Sequence, residues 1–261
     1  MLKNTEQKRA IAQAFGRAAQ SYDNSAEFQR IVGEQLLAKI PHYDMPQRVL
    51  DVGCGTGYFS AELIKQGHQV TCLDLSEAML AQARTRCGEA ANYLTADADH
   101  LPIQDNSVDI AFSSLALQWC TDLSVPLAEL RRVVRPGGII AFSTLAEGSL
   151  FELANAWRQV DNLQHINEFL SEKLIKIALA QAKLNLKGLE FNPIVQYYSC
   201  ARDLMRDLKG IGATHLHQQR KSGLLSRRAL AELETAYMHY RHSNGLLPAT
   251  YQVCFGVIVN E

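Results

Sequence analysis

The sequence lacks any long apolar run and any marked excess of one charge. No stretch approaches the ~18 consecutive apolar residues that a membrane-spanning helix needs, and the first residues are polar, unlike a secretory signal. Twenty-six basic and 27 acidic residues leave a formal net charge of −1, which argues against binding nucleic acid through bulk charge. We therefore expect a cytoplasmic protein with no membrane or nucleic-acid partner.

Closely spaced cysteines are also missing. The six cysteines are scattered and no Cys-x-x-Cys occurs, so neither a zinc site nor a thioredoxin-like pair is indicated. His215 and His217 have no third ligand nearby in the sequence, which favours a structural role, and we expect no metal. The 47% hydrophobic and 20% charged content over 261 residues is typical of a globular protein. A chain of this length can bury a core without disulfides.

Short apolar runs alternate with helical patterns from Arg48 onward. Because such alternation is typical of a parallel sheet covered on both faces, we expect an α/β fold. The pattern predicts a helix that ends at Arg135-Pro136-Gly137-Gly138. The predicted strands are 49–52, 69–74, 93–96, 108–113 and 139–143, followed by 194–200 and 251–259 at the end of the same sheet.

The flanks of this alternating region are predicted to be helical. We expect one structural unit in which residues 1–45 form a helical N-terminal arm and residues 46–261 form the main domain. Within that domain, residues 149–190 are interpreted as a helical lid insertion. Insertions at this point lie over the carboxyl edge of the sheet, where open α/β folds bind ligands.

A glycine-rich loop follows the first predicted strand and opens a helix. Its pattern is Asp51-x-Gly53-x-Gly55-x-Gly57, and glycine lets a backbone turn sharply and approach a ligand closely. Asp74 ends the next strand, where a carboxylate can accept both hydroxyls of a ribose. Asp97 follows the third strand, in position for an adenine edge. Three acidic groups at consecutive strand ends favour an adenosine that carries a positive sulfonium and an amino-acid tail.

The loop has two other interpretations. A dinucleotide oxidoreductase would need glycine or alanine at position 58, which is Tyr58 here, and the acidic residue within the loop would repel a pyrophosphate. A glycine turn that only packs a strand on a helix would not require Asp74 and Asp97. Both interpretations are therefore disfavoured.

These residues resemble the class I S-adenosylmethionine-dependent methyltransferases over roughly residues 46–145. The run 49–57, the strand-end aspartates and the turn at 135–138 stand in that family's order. The resemblance implies a Rossmann-like, mostly parallel sheet with an antiparallel last strand, and S-adenosylmethionine as co-substrate. It implies cofactor contacts by Asp51, Gly53, Gly55, Gly57, Asp74, Leu75, Asp97, Ala98 and Ser113, with the ribose on Asp74 and the adenine amino group on Asp97.

The flanks are similar to the malonyl-acyl-carrier-protein O-methyltransferases of biotin synthesis. The segments that carry this similarity are 14–19 leading to Tyr22, 115–120, 148–150, 209–215 and 255–258. The resemblance implies methyl transfer to the free carboxylate of a malonyl thioester on acyl carrier protein, or on coenzyme A, to give the methyl ester that primes pimeloyl synthesis. Because a malonyl carboxylate is ionised at neutral pH, no acid/base pair is expected.

Three residues are candidates for the acceptor side. Tyr22 is expected to close over the methyl group and to hydrogen-bond the acceptor carboxylate, Gln118 to orient that carboxylate, and Trp119 to line the site. Each also has a structural interpretation: a tyrosine packed on the arm, a capping glutamine and a core tryptophan.

Basic residues in 201–228 suggest a docking surface for an acidic carrier protein. The candidates are Arg206, Lys209, Arg227 and Arg228, with Arg206 also considered as a clamp on the malonyl carboxylate. A solvated helix face explains most of these charges equally well. Methylation of another small molecule such as a quinone ring, and a non-catalytic S-adenosylmethionine-binding protein, remain alternatives. The intact loop and Asp74 argue against the non-catalytic alternative.

Overall fold

The computed structural model describes residues 2–161, 163–213 and 226–261, so His215 and His217 lie outside the described residues. Its seven strands form one sheet and span Arg48–Val52 (β1), Gln69–Asp74 (β2), Ala91–Thr95 (β3), Val108–Ser114 (β4), Val134–Ala146 (β5), Leu189–Tyr198 (β6) and Leu247–Val259 (β7). The α-helices of the described residues span Leu2–Ala18 (α1), Glu27–Leu37 (α2), Tyr58–Lys65 (α3), Glu77–Cys87 (α4), Ser124–Val133 (α5), Phe151–Arg158 (α6), Glu172–Gln181 (α7), Ala201–Gly210 (α8) and Arg227–Tyr237 (α9).

The sheet has the order β3-β2-β1-β4-β5-β7-β6. The first five strands pair in parallel, whereas β7 runs antiparallel to both β5 and β6. The predicted α/β fold, mostly parallel with an antiparallel last strand, is confirmed. The order reverses between β1 and β4, and in open α/β sheets this is where the carboxyl ends of the strands leave a crevice for a ligand.

The sheet is buried between two layers of helices. Leu50 and Val52 of β1 pack into the hydrophobic cluster on one face, and Val49 packs into the cluster on the other. Phe28 and Val32 of α2 belong to the Val49 cluster, so part of the N-terminal arm shares the core of the sheet. No helix in the described ranges is long and apolar enough to span a bilayer.

The turn at residues 135–138 differs from its prediction. It was expected to separate a helix from a strand at 139–143, but β5 already begins at Val134, which pairs with Val108. The register then shifts, so that Ile139 pairs with Ile110. Between these two pairs β5 has more residues than β4, and the irregularity accommodates them. One strand can therefore continue through a proline and two glycines.

The insertion 149–190 is less helical than predicted. Its helices are α6 and α7, and residues 159–171 between them form no helix where the structure describes them. Asp161 explains part of the break, because its carboxylate accepts a hydrogen bond from the Leu163 backbone N–H at 2.9 Å and contacts His165 Nε2 at 2.8 Å. Local side-chain hydrogen bonds of this kind compete with helix formation.

Asp109 at the base of β4 ties two arginines to the sheet. Its carboxylate accepts hydrogen bonds from Arg48 Nε at 3.0 Å and Arg135 Nε at 2.6 Å. Hydrogen bonding to Arg48, and then to Arg135, holds the pKa of Asp109 well below its usual range against the opposing effect of burial. The ionised carboxylate therefore stabilises the fold.

We expect the substitution Asp109→Asn to lower the free energy of unfolding by about 1–2 kcal/mol at pH 7, since both arginines are partly solvated. The lowered pKa adds its full stability above the unfolded-state value near 4, and this stability is lost as pH falls from there toward the lower folded-state pKa. The difference between the two proteins should therefore shrink as pH falls below about 4. Urea unfolding at pH 7 and pH 3 tests this. Asp105→Asn, at the more exposed pair with Arg132, is the control and should cost less than about 1 kcal/mol. An equal loss of unfolding free energy in Asp109→Asn and Asp105→Asn would contradict the prediction.

Candidate active site

The glycine loop is fastened to the end of β2. The backbone N–H groups of Gly53 and Cys54 both donate to the Leu73 carbonyl, at 2.7 and 3.0 Å. Asp74 accepts from the Gly55 N–H at 2.9 Å through one carboxylate oxygen and from the Ser76 N–H at 2.7 Å through the other. Asp74 therefore holds the loop in place as well as standing at a strand end.

Two glycines of the loop are required for different reasons. Gly53 has φ = +73°, and a Cβ added there would lie 2.3 Å from the Ala116 side chain. Gly57 has φ = +76° at the start of α3, and its Cβ would lie 2.9 Å from the Ala83 side chain. The first glycine permits the close approach of the loop that follows β4, whereas the second permits packing of α3 on α4.

A cavity of about 120 Å³ opens at the carboxyl ends of β1, β2 and β4, and we call it the Asp74 cavity. It brings together most of the predicted cofactor contacts, namely Gly53, Gly55, Asp74, Leu75, Asp97 and Ala98, with Tyr22 and Trp119 beside them. A smaller lobe of about 50 Å³, the Asp51 lobe, shares Tyr22, Gly53, Gly55 and Ser114 with it. Gly57 lines neither space.

Ser113 does not take its predicted position. It is fully buried and its hydroxyl donates to the Val52 carbonyl at 2.9 Å. Ser114 lines both spaces instead. Successive side chains of a strand point to opposite faces, so a prediction one residue out of register selects the residue that faces the core.

The N-terminal arm contributes residues that the sequence analysis did not single out. Lys8, Ile11 and Phe15 of α1 line the Asp74 cavity. The Phe15 ring meets the Trp119 indole edge-on, with centroids 5.2 Å apart. The sequence predicts a helical arm over residues 1–45, but no local pattern identifies the cavity as its partner.

Lys8 ties the arm to the Asp97 side of the cavity. Its ammonium hydrogen-bonds the carboxylates of Asp97 and Asp99. Burial alone would lower the pKa of Lys8, but the hydrogen bonds to these two aspartates hold it above its usual value. The carboxylate that was predicted to receive the adenine amino group is therefore also an anchor for α1.

Asp51 is a buried carboxyl at the bottom of its lobe. It is 2% exposed, and the Ser60 hydroxyl donates to it at 2.5 Å. Burial raises the pKa of Asp51 to about 7, the Ser60 hydrogen bond opposes the rise, and the nearby charge of Asp74 adds to it. A cation placed in this lobe would favour the ionised form, as the ammonium group of an amino-acid tail does.

This raised pKa predicts a pH-dependent affinity for S-adenosylhomocysteine. The ammonium of this ligand should bind the ionised form of Asp51, whose population grows about fivefold between pH 6 and pH 7 for a pKa near 7. We expect the dissociation constant measured by calorimetry to fall by that factor over this range. In Asp51→Asn the pH dependence should disappear. An equally steep dependence in the variant would exclude Asp51 as its source.

A second cavity of about 80 Å³, which we call the inner cavity, adjoins the first. The two share Phe15, Tyr22, Leu115 and Trp119. Gln118 also lines the inner cavity, and its Nε2 donates to the Leu115 carbonyl at 2.7 Å. The Oε1 atoms of Gln118 and Gln29 are buried without a hydrogen-bond partner among the described residues. All three acceptor-side candidates thus lie around this mainly apolar space.

Tyr22 is positioned by the residue that follows it. The Asp23 carboxylate accepts a hydrogen bond from the Thr56 hydroxyl at 2.8 Å and pairs with Arg86 of α4, which fixes the short helical turn beginning at Tyr22 against the glycine loop. Burial, followed by the charges of Asp74 and Asp23, raises the pKa of Tyr22 well above its usual value. The phenol therefore stays protonated and can donate a hydrogen bond at neutral pH.

The predicted docking residues lie on the surface, away from these cavities. Arg206 and Lys209 are exposed on α8, and Arg227 and Arg228 are exposed on α9. Arg206 pairs with Asp203 at 2.8 Å and its side chain is 67% exposed. Because α8 buries its opposite face in the core, Arg206 lies outside the inner cavity, which argues against a carboxylate clamp there.

No group of three or more metal-ligating side chains occurs in the ranges that the structure covers. The site built from these residues is instead a pair of connected cavities. One is bordered by carboxylates and backbone N–H groups, and the other is mostly apolar with two tyrosines, a histidine and three side-chain amides.

Comparisons with known proteins agree with this geometry. A family model described as a methyltransferase domain matches residues 50–142. A malonyl-[acyl-carrier protein] O-methyltransferase from Serratia marcescens is 49% identical, over 99% of this chain and 98% of the relative. A biotin biosynthesis bifunctional protein BioHC from Cellvibrio japonicus is 40% identical, over 96% of this chain and 50% of that protein. The solved structure of an S-adenosylmethionine-dependent methyltransferase from Thermotoga maritima has a TM-score of 0.55 at 16% identity, covering 96% of this chain and all of that one.

Proposed function

The chain belongs to the family of malonyl-[acyl-carrier protein] O-methyltransferases, and on that basis we propose that it methylates the free carboxylate of a malonyl thioester held by acyl carrier protein. S-adenosylmethionine is the methyl donor. The observation that carries the proposal is the meeting of the Asp74 cavity and the inner cavity at Tyr22 and Trp119. A donor in the first cavity and an acceptor in the second would touch at that junction.

The residues of the Asp74 cavity and the Asp51 lobe fit S-adenosylmethionine. The ionised form of Asp51 would bind the ammonium group, Asp74 would accept the ribose hydroxyls, and Asp97 would accept the adenine amino group. This acidic set suits a ligand with a positive sulfonium and no phosphate. When bound, S-adenosylmethionine supplies an electrophilic methyl group on that sulfonium.

The residues of the inner cavity are expected to align the acceptor. The Tyr22 hydroxyl donates a hydrogen bond to one carboxylate oxygen, and Gln118 orients the carboxylate. The carboxylate oxygen that Tyr22 does not hydrogen-bond attacks the methyl carbon. The carbon–sulfur bond breaks at the same time, and its electron pair stays on sulfur. No proton moves, so the chain needs no catalytic base.

Alignment and exclusion of water are then the main sources of rate enhancement. The aromatic and aliphatic walls of the junction, Phe15, Leu115 and Trp119, keep water from the reacting atoms. Alignment of this kind is worth up to about 7–11 kcal/mol in well-oriented systems. The product is a methyl ester without the malonyl negative charge. Such an ester suits elongation toward a pimeloyl chain for biotin, and the BioHC relative is named for biotin biosynthesis.

Intact mass spectrometry of the carrier protein tests the proposal. Malonyl-acyl carrier protein incubated with the enzyme and S-adenosylmethionine should gain the mass of one methylene, and the acetyl form should gain nothing. Absence of the gain, with S-adenosylhomocysteine binding confirmed by calorimetry, would overturn the acceptor and leave a methyltransferase of another substrate. Methylation of the acetyl form would show that the malonyl carboxylate is not the target.

The exposed arginines of α9 are proposed to attract the acidic carrier protein. We expect Arg227→Glu/Arg228→Glu to raise the KM for malonyl-acyl carrier protein about three- to tenfold at low salt, and to leave the KM for malonyl-pantetheine unchanged. The effect should weaken as salt is added. Lys173→Glu/Lys187→Glu, which reverses two exposed charges elsewhere, is the matched control. An equal rise in that control would remove α9 from the docking surface.

A further inference from the structure

A third hollow adjoins the inner cavity. This outer groove has a volume of about 610 Å³ and lies between α6 and the non-helical segment that follows it. Its wall includes Trp157 and Gln164, and it shares His165, Ile166 and Phe169 with the inner cavity. Its volume is within the usual range for a small-ligand site.

Two residues that line this groove each carry a buried polar atom without a partner among the described residues. Trp157 Nε1, a donor, and Gln164 Oε1, an acceptor, are both buried without a hydrogen bond to any described residue. Buried polar groups are nearly always satisfied, so each such group calls for an explanation. A ligand that offered both a carbonyl oxygen and an N–H group would satisfy the pair.

We propose that the outer groove binds the pantetheine arm of the acyl thioester, with Trp157 and Gln164 recognising its amides. Pantetheine is an extended chain with two secondary amides, each of which carries one C=O and one N–H. The Trp157 N–H donates to an amide carbonyl and Gln164 Oε1 accepts from an amide N–H. This inference rests on the proposed function, because it supplies the path by which a malonyl thioester reaches Tyr22.

His165 lines both the groove and the inner cavity. Its ring stacks on the Trp157 indole, with centroids 3.7 Å apart and an interplanar angle of 3°. Its Nε2 atom lies 2.8 Å from the Asp161 carboxylate, and its side chain is 1% exposed. The stack holds the Trp157 indole in a fixed orientation, so the donor is preorganised before a substrate arrives.

Another hollow offers the competing route. It has a volume of about 320 Å³, is lined by Leu123, Thr144 and Ile175 among others, and also reaches Gln118 and Phe169. Among its described lining residues the one buried unpaired polar atom is Gln118 Oε1, which also belongs to the inner cavity. The outer groove is favoured because it holds both a donor and an acceptor along its own wall.

A series of malonyl thioesters with increasing numbers of amides tests the proposal. The probes are the ethanethiol ester with no amide, the N-acetylcysteamine ester with one and the pantetheine ester with two. In the wild-type protein the KM should fall along the series. In Gln164→Leu the KM for the pantetheine ester should rise about three- to tenfold, as expected for one lost hydrogen bond, while the KM for the ethanethiol ester stays unchanged.

Variants nearby separate recognition from folding. Trp157→Phe removes the indole N–H but keeps an aromatic ring. It should likewise raise the KM for the pantetheine ester and leave the KM for the ethanethiol ester unchanged. Gln159→Leu is the matched control, since Gln159 is exposed just beyond α6 and does not line the groove. An equal rise in KM for all three esters, or none in either groove variant, would overturn the inference. Loss of amide recognition in Thr144→Val alone would assign the arm to the competing hollow and would also overturn it.

The carrier-bound and coenzyme A thioesters share the pantetheine arm, and two further substrates distinguish them. Both malonyl-acyl carrier protein and malonyl-coenzyme A should lose affinity in Gln164→Leu, whereas only the carrier-bound form should respond to charge reversal on α9. A loss confined to one of them would contradict recognition of the shared arm. If the wild-type protein methylates no malonyl thioester, the proposed function fails. If it methylates the esters without regard to their amides, the groove assignment alone fails.

Discussion

Replacement of Asp74 with asparagine should weaken the binding of S-adenosylhomocysteine by about 100-fold or more. The carboxylate is expected to accept both ribose hydroxyls, and hydrogen bonds to a charged acceptor contribute about 1.5–3 kcal/mol each. Asparagine keeps one acceptor oxygen and puts an amide N–H₂ in place of the other. That group would face either the Gly55 or the Ser76 backbone N–H, which now donate to the carboxylate. Loss of a ribose contact and loosening of the glycine loop should therefore both lower the affinity for S-adenosylhomocysteine.

Calorimetric titration with S-adenosylhomocysteine measures this effect. Asp44→Asn is the matched control, since the Asp44 side chain is fully exposed and its loss should leave the dissociation constant unchanged. Thermal unfolding of Asp74→Asn shows whether the variant still folds. A folded Asp74→Asn protein with wild-type affinity would remove Asp74 from the cofactor site and with it the proposed orientation of the donor.

Removal of the Tyr22 hydroxyl should lower turnover by about 10- to 100-fold and leave cofactor affinity nearly unchanged. The phenol lies where the Asp74 cavity, the Asp51 lobe and the inner cavity meet, and burial keeps it protonated. In Tyr22→Phe the acceptor carboxylate loses a donor that is expected to hold it in line with the methyl group. One hydrogen bond to a charged group accounts for this range.

Steady-state kinetics with malonyl-pantetheine, together with calorimetry for the cofactor product, separate the two quantities. Tyr43→Phe is a suitable control, because Tyr43 packs near His68 and lines none of the three spaces. Full turnover in Tyr22→Phe would assign acceptor alignment to another residue. A parallel loss of cofactor affinity would instead show that Tyr22 supports the donor site.

The sequence predicts where the glycine loop and the strand-end aspartates lie in the fold, because these signals are local. An apolar strand followed by glycines, and an aspartate at the end of the next strand, each occupy a few consecutive positions and define a sheet edge. Ser113 shows the limit of this reasoning. It lies in the predicted strand, but the orientation of its side chain depends on the register of that strand. Because the strand has apolar residues on both faces, its sequence does not show which face Ser113 points to.

Features that depend on distant parts of the chain were not predicted. Lys8 reaches Asp97 from 89 positions away, and no spacing rule connects two such residues. The outer groove is built largely by a segment without regular structure, so it has no periodic signature in the sequence. β6 begins at Leu189 and not at the predicted residue 194. Glu190, Asn192 and Pro193 are exposed in its first half, and a proline disfavours a strand prediction although an edge strand tolerates it.

The position of β7 also constrains the order in which the molecule assembles. This strand lies between β5 and β6 and pairs with β5 through residues 252–259 and with β6 through residues 247–256. Ile139 of β5 can pair with Val259 only after that late segment has been synthesised. Until then, β5 and β6 each have an open edge. Such high contact order slows folding and exposes strand edges to other chains. During synthesis, the β1–β5 half, which carries the residues proposed to bind the cofactor, can collapse first, whereas the sheet is complete only when β7 is inserted.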